Sequence, residues 1–185
     1  MIKTGTQLTL EEFLALPDGD IYYEFVDGQA IPKVSPKYFH STLQTAFIIL
    51  IRTWCKGKGR VGSEWAVLLK RQGKDWASLP DVTYISYERL PKSWRKNEAC
   101  PALPELVIEI ISPDQTMKEF EDKAQDYLIA GVSIVWVVDP ETITLKVFFP
   151  DGTSQVYIDN TPIVDALLPR LELTTQQIFE EAELI

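Results

Sequence analysis

Glu109 stands in the run Glu105-Leu-Val-Ile-Glu-Ile-Ile-Ser112, with isoleucine on each side. Burying an unpaired carboxylate there costs several kcal/mol, a large share of a domain's stability. The residue therefore needs a cation, a proton or good hydrogen bonds. A structural salt bridge, or a strand end that reaches water, would meet that need. A functional site would also meet it, and strongly perturbed carboxylates are a mark of such sites.

Asp81 is the second candidate. Pro80 cannot donate to a ladder, so Asp81 opens its strand at a sheet rim. Taken alone, it reads as a turn residue after proline. With period-two alternation, however, Asp81, Thr83 and Ile85 share one face. Glu105, Val107, Glu109 and Ile111 share a face of the following strand. If the two strands are neighbours, Asp81 and Glu109 meet. Two such carboxylates repel unless a cation joins them, and oxygen ligands suit Mg2+ or Mn2+. The backbone carbonyl of Ile110 is a further candidate ligand. An ion held there would polarise a phosphoryl oxygen and lower the pKa of a bound water.

Three more residues break their local pattern. Lys123 lies three residues after Phe120 and four before Tyr127, beside the inward stripe of an expected helix. It either leans over the sheet, to hold a water or a developing negative charge, or forms an exposed pair with Glu119. Glu24 interrupts the strand Tyr22-Tyr-Glu-Phe-Val26; binding metal, capping the site and facing solvent all remain open for it. His40, three residues before Leu43, faces the sheet side of its helix and reads as a hydrogen-bonded core histidine rather than a catalyst.

The elements that must position these residues follow from periodicity and punctuation. Thr9-Leu-Glu-Glu12 is a capping box that starts a short helix, stopped by Pro17-Asp-Gly19. Strands are expected over residues 21–26 and on to about 34, joined by Asp27-Gly28. Leu43, Phe47, Leu50, Ile51 and Trp54 give helical spacing over residues 37–55. Strands follow at 61–69, 81–86 and 106–111, with a long loop at 87–104. A helix at 117–130 ends at Gly131, and three more strands cover 133–138, 143–149 and 153–158. A last helix covers 174–183. The helix between two apolar strands suits a crossover joining parallel neighbours.

Composition sets the frame. The 185 residues have the length of one domain, and 45% hydrophobic content is enough to fill a core. Met1–Leu10 is polar, and the longest apolar stretches are too short to span a bilayer, so a cytoplasmic location is expected. Cys55 and Cys100 form no CxxC pair, and a single histidine makes a zinc site a poor fit. The net charge of −9 argues against a generic nucleic-acid coat. Residues 52–96 nevertheless hold eleven basic residues against four acidic ones, so that segment is +7 and the remainder −16. A local basic surface can attract a polyanion; a solvated face is the plainer reading.

Read in order, several pieces of the chain resemble the Uma-type putative restriction endonuclease family, within the PD-(D/E)XK nuclease superfamily. They are Thr9-Leu-Glu-Glu-Phe-Leu14, Tyr23-Glu-Phe-Val-Asp-Gly28, Ser35-Pro36 with His40, Pro80-Asp81-Val82, Pro104 through Pro113, Lys123 with Tyr127, and Gly131-Val132 through Trp136-Val-Val-Asp-Pro140. The resemblance implies a single α/β domain over residues 1–185. Its core would run helix-strand-strand-strand-helix-strand around a mixed central sheet, with an N-terminal helix and hairpin and C-terminal strands. It also implies Asp81 and Glu109 as metal ligands, with Glu24 as the acidic residue before the core helix. The lysine usual two residues after the acid is Ile111 here, and Lys123 from the following helix would replace it. The expected activity is Mg2+-dependent (or Mn2+-dependent) phosphodiester hydrolysis on DNA, by a homodimer. The rival from another class is a nuclease-fold binding or interaction module without catalysis.

Overall fold

The computed structural model describes residues 6–17, 19 and 21–185. Asp18, within the helix stop expected at 17–19, and residues 1–5 of the polar N-terminal segment lie outside the described residues. Helix α1 (Leu10–Leu14) begins at Thr9, whose side chain and that of Glu12 close the expected capping box. Strands β1 (Tyr23–Val26) and β2 (Gln29–Pro32) form an antiparallel hairpin turned at Asp27 and Gly28, both with positive φ. Helix α2 (Tyr38–Trp54) buries His40, Leu43, Phe47 and Ile51 along one stripe.

The single strand expected over 61–69 is two strands in two different sheets. Strand β3 (Gly59–Ser63) ends at Glu64, a non-glycine residue with φ of 47°. Beyond it, β4 (Val67–Arg71) hairpins with β5 (Lys74–Ser78), a strand the sequence pattern did not reveal. These two join the first hairpin in a four-stranded antiparallel sheet of order β2-β1-β5-β4. The run Val61-Gly-Ser-Glu-Trp-Ala-Val67 carries no proline, and Gly62-Ser63 is only a weak sign of the break.

The central sheet has six strands. They are β3, β6 (Val82–Ser86), β7 (Leu106–Ile110), β8 (Ile134–Asp139), β9 (Thr144–Phe148) and β10 (Ser154–Tyr157), in the order β10-β9-β8-β7-β6-β3. Only β7 and β8 run parallel, and α3 (Met117–Ile129) connects them. This is the mixed sheet expected from the order of elements, once the β4–β5 hairpin is set aside as an insertion. A two-stranded ribbon, β11 (Pro162–Ile163) with β12 (Leu173–Thr174), precedes α4 (Thr175–Glu181).

Both faces of the central sheet are covered. Residues of α2 and α4 pack with Tyr84, Ile108 and Trp136 on one face. Residues of α3 and the β4–β5 hairpin pack with Ile85, Val107 and Val135 on the other. This accounts for β7 and β8 being apolar on both sides, as central strands between two layers must be. No helix among the described residues is long and apolar enough to cross a membrane.

Candidate active site

The register of β6 against β7 brings the two acids together. Val82 pairs with Ile108 and Thr83 with Val107, antiparallel. Continued by one residue, that register sets Asp81 opposite Glu109. Both are almost wholly buried, at 1% and 2% exposure. They line one cavity of about 210 Å³ together with Glu24, Lys33, His40 and Lys123. Glu105, on the same strand, serves as a contrast. It is held by Arg89 at 3.1 Å and by the Ser86 amide, which makes it a structural ion pair at the far end of β7.

Each acid is fixed by named donors. One Asp81 oxygen, Oδ2, accepts the Ile110 amide at 2.7 Å. Its Oδ1 faces the Lys33 ammonium at 2.7 Å and His40 Nε2 at 3.3 Å. His40 Nδ1 in turn lies 3.0 Å from the Ser112 hydroxyl. Burial pushes the Asp81 carboxyl up, but the His40 hydrogen bond and the Lys33 charge outweigh it and bring it down to about 2. Glu109 Oε1 accepts the Tyr127 hydroxyl at 2.6 Å and faces Lys123 Nζ at 2.9 Å. Burial dominates at Glu109 and raises its carboxyl despite Lys123, and the nearby Asp81 charge adds to the rise.

Lys123 does not pair with Glu119, which instead closes a capping box with Thr116 at the start of α3. Its ammonium bridges Glu109 and Glu24, the latter at 2.7 Å. Burial would lower the ammonium's pKa, but the two carboxylates hold it above the ordinary lysine value. Glu24 reaches the site because β1 pairs with β5, which places its carboxylate 3.2 Å from the Leu79 amide. The Ser78 hydroxyl bonds the phenol oxygen of Tyr127. Glu24, Asp81, Glu109 and Lys123 thus converge, and His40, read from sequence as a core histidine, hydrogen-bonds into the same cluster. Ile110 lines the cavity and supplies an amide to Asp81.

Lys33 and Glu64 also belong to this cluster, and sequence reasoning missed them. Lys33 follows β2, and its Nζ lies 3.1 Å from Glu64. Glu64 also accepts from Gln44 Nε2 at 3.2 Å. The available signals were faint: a lysine after Pro32, and an acid after Gly62-Ser63.

The donor set fits a hard divalent cation. Four carboxylates (Glu24, Glu64, Asp81 and Glu109) face two ammoniums, Lys33 and Lys123. When they are ionised, the carboxylates outnumber the ammoniums in a largely buried cluster. Oxygen donors with an excess of negative charge are the ligands that Mg2+ and Mn2+ take.

The basic segment is less coherent in space than in sequence. Lys70, Arg71, Lys74 and Arg89 each face a carboxylate, and Arg60 donates to the carbonyls of Pro91 and Trp94. Arg52, Lys56 and Lys58 gather at the C-terminal end of α2. From His40 to Arg52 is about 18 Å along the helix axis, at ~1.5 Å per residue. That cluster therefore lies away from the cavity.

Comparison with known proteins agrees with the geometry. No curated protein matches the chain. A crystal structure described as a putative nuclease belonging to DUF820 from Anabaena variabilis ATCC 29413 matches with a TM-score of 0.80. The two are 25% identical, and the match covers 95% of this chain and 99% of that one. Residues 10–176 match the family Uma2, described as putative restriction endonuclease. With that match covering most of its length, the chain belongs to the Uma2 family of putative restriction endonucleases.

Proposed function

We propose that the protein is a divalent-metal-dependent endonuclease acting on DNA, with Asp81, Glu109 and the carbonyl of Ile110 as metal ligands and Lys123 as the catalytic amine. One observation carries this reading: Asp81 and Glu109, from separate strands, are buried in one cavity where Lys123 Nζ lies 2.9 Å from Glu109. That contact supports Lys123 as the replacement for the lysine absent at Ile111, and it weakens the rival of a non-catalytic module, which leaned on that absence. A bound Mg2+ or Mn2+ would supply Lewis acidity toward a phosphoryl oxygen and toward the attacking water.

The chain's own residues do the positioning. The Lys123 ammonium donates to a non-bridging phosphate oxygen, or to the attacking water, as negative charge develops. Glu24 keeps that ammonium aimed into the cavity. Tyr127 holds Glu109 in one rotamer, and the Ile110 amide and His40 hold Asp81. Approach of the nucleic acid uses nearer groups than the basic segment. A second cavity, about 430 Å³, shares His40, Ser112 and Gln115 with the first, and its wall carries Lys37, Tyr38 and Phe39 as well as the acids Asp114, Asp139 and Glu141. Tyr38 and Phe39 are 63% and 53% exposed, so their rings are available for stacking on bases.

The test is cleavage of plasmid, single-stranded DNA and RNA. Mg2+ or Mn2+ should convert supercoiled plasmid to nicked or linear forms. EDTA, or Glu109→Gln purified in parallel, should leave it intact. Cleavage that survives in Glu109→Gln would trace the activity to a contaminant and sink the assignment. Faster hydrolysis of RNA than of DNA would change the substrate.

We also infer a homodimer. Strand β10 is an edge of the central sheet, and Val156, Ile158 and Ile143 beside it are exposed. An apolar edge is a natural pairing surface. Two sites on one duplex would suit cutting of both strands. Sedimentation should give twice the chain mass at micromolar concentration; a monomer there removes the dimer.

A further inference from the structure

The Lys33 ammonium sits inside a cage rather than on a surface. Its Nζ lies 2.7 Å from Asp81 Oδ1, 2.8 Å from the Leu79 carbonyl, and 3.3 and 3.1 Å from the two oxygens of Glu64. The Lys33 side chain is only 17% exposed. The cage is built independently of the lysine. Gln44 Nε2 donates both to Glu64 and, at 2.9 Å, to the carbonyl of Asp81. Glu64 is delivered by a backbone with φ of 47°, a conformation most side chains avoid and one that tends to persist at functional sites.

Without the lysine, the same place has the makings of a metal site. His40, Glu64 and Asp81 offer three ligand atoms that all lie within 4.8 Å of one another. They are distinct from the Glu109 side of the cavity, where Lys123 and Tyr127 gather. A divalent ion on the oxygens of Asp81 and Glu64 would stand at contact distance from the Lys33 ammonium, and like charges that close inside a protein repel strongly. One cation can hold that position, and Lys33 already does.

We propose that Lys33 is the resident second cation of this site, so that the chain takes one divalent ion, between Asp81 and Glu109, and never a second. This rests on the metal-dependent reading above. The lysine is a positioning residue. It fixes Asp81 and neutralises Glu64 at any metal concentration, and the ion from solution takes the Glu109 side, where Lys123 and Tyr127 both meet the carboxylate at Oε1 and the ion would use Oε2.

Counting bound Mn2+ by electron paramagnetic resonance, with the chain's melting temperature as a second readout, tests the proposal. Wild type should bind one Mn2+ per chain and Lys33→Met two, while Lys33→Arg, which keeps the charge, should stay at one. In EDTA, Lys33→Met should melt below wild type, because Asp81 and Glu64 lose their cation, and Mn2+ should raise its melting temperature more than that of wild type. Lys33→Gln, counted in parallel, guards against one variant failing to fold. Two ions in wild type, or a single ion in folded Lys33→Met and Lys33→Gln, overturns the proposal. One ion in wild type that Asp81→Asn abolishes, with one ion still in Lys33→Met, sinks this inference alone. No ion in wild type or in either variant sinks the metal-dependent reading with it.

Discussion

Asp81→Asn is expected to lower metal-supported DNA cleavage by about a thousandfold or more, while Glu109→Gln does the same with an opposite effect on stability. The activity loss is what removing one of two anionic ligands should produce, since metal activation contributes several kcal/mol and each ~1.4 kcal/mol is tenfold. The stability effects separate because the two carboxyls are perturbed in opposite directions. Asp81 is held at about 2, below the usual aspartate value, so folding favours its ionised form. A depressed group stabilises the fold above its unfolded pKa, and that stabilisation is lost as pH falls through the folded value. At neutral pH it is fully present, and Asp81→Asn should cost about 2 kcal/mol. Glu109 is raised by burial and by the nearby acids. Its charge therefore works against folding at neutral pH, and Glu109→Gln in EDTA should be neutral or stabilising. Denaturant unfolding in EDTA measures both. A Glu109→Gln variant clearly less stable than wild type would mean that the Lys123 contact outweighs the cost of burying the Glu109 charge. Asp81→Asn cleaving at the wild-type rate would remove Asp81 from the chemistry.

The opposite shifts also show which parts of the site were legible in sequence. Glu109 was visible because an acid inside an apolar strand has no cheap explanation. Asp81 was visible because Pro80 marks a strand start, and period-two alternation then puts both acids on one face. The observed register, Val82 with Ile108, bears that face out. The helices were legible too: the capping box at Thr9 starts α1, and the spacing of Leu43, Phe47, Leu50, Ile51 and Trp54 marks α2, whereas the capping boxes at Thr116 and Thr174 that start α3 and α4 were not read from the sequence. The four-stranded sheet was hidden. Its strand β5 is Lys-Asp-Trp-Ala-Ser, with weak alternation, and β3 runs into β4 with only Glu64, Trp65 and Ala66 between them. Lys33, Glu64 and Gln44 were missed for the same reason. They reach the site through the turn at Glu64, the end of β2 and the first turns of α2, where tertiary placement decides what a side chain meets. Local pattern carries no trace of a contact such as Lys33 with Asp81, 48 residues apart.

Lys123→Met is expected to damage the protein twice, and the two effects can be read apart. Its ammonium lies between Glu24 at 2.7 Å and Glu109 at 2.9 Å, with the side chain 24% exposed. Removing one partner from a mostly buried cluster leaves uncompensated charge, and in EDTA the variant should lose about 3 kcal/mol. A divalent ion on Glu109 replaces part of the missing charge, so Mn2+ should recover much of that stability. Activity should not recover with it. An amine that stabilises charge on the phosphate contributes on the order of a hundredfold, and no ion on the carboxylates restores that contact. Lys123→Arg sharpens the distinction. Arginine keeps the charge and should keep most of the stability, but its planar fork cannot take the place of a compact ammonium between two acids and a phosphate, so cleavage should stay low. If Lys123 served only to hold Glu24 and Glu109 in place, Lys123→Arg would cleave nearly as fast as wild type, and Lys123→Met would regain activity in step with its stability as Mn2+ is added. Either result would move the catalytic amine elsewhere, and Lys33, the other ammonium lining the cavity, would be the next to test.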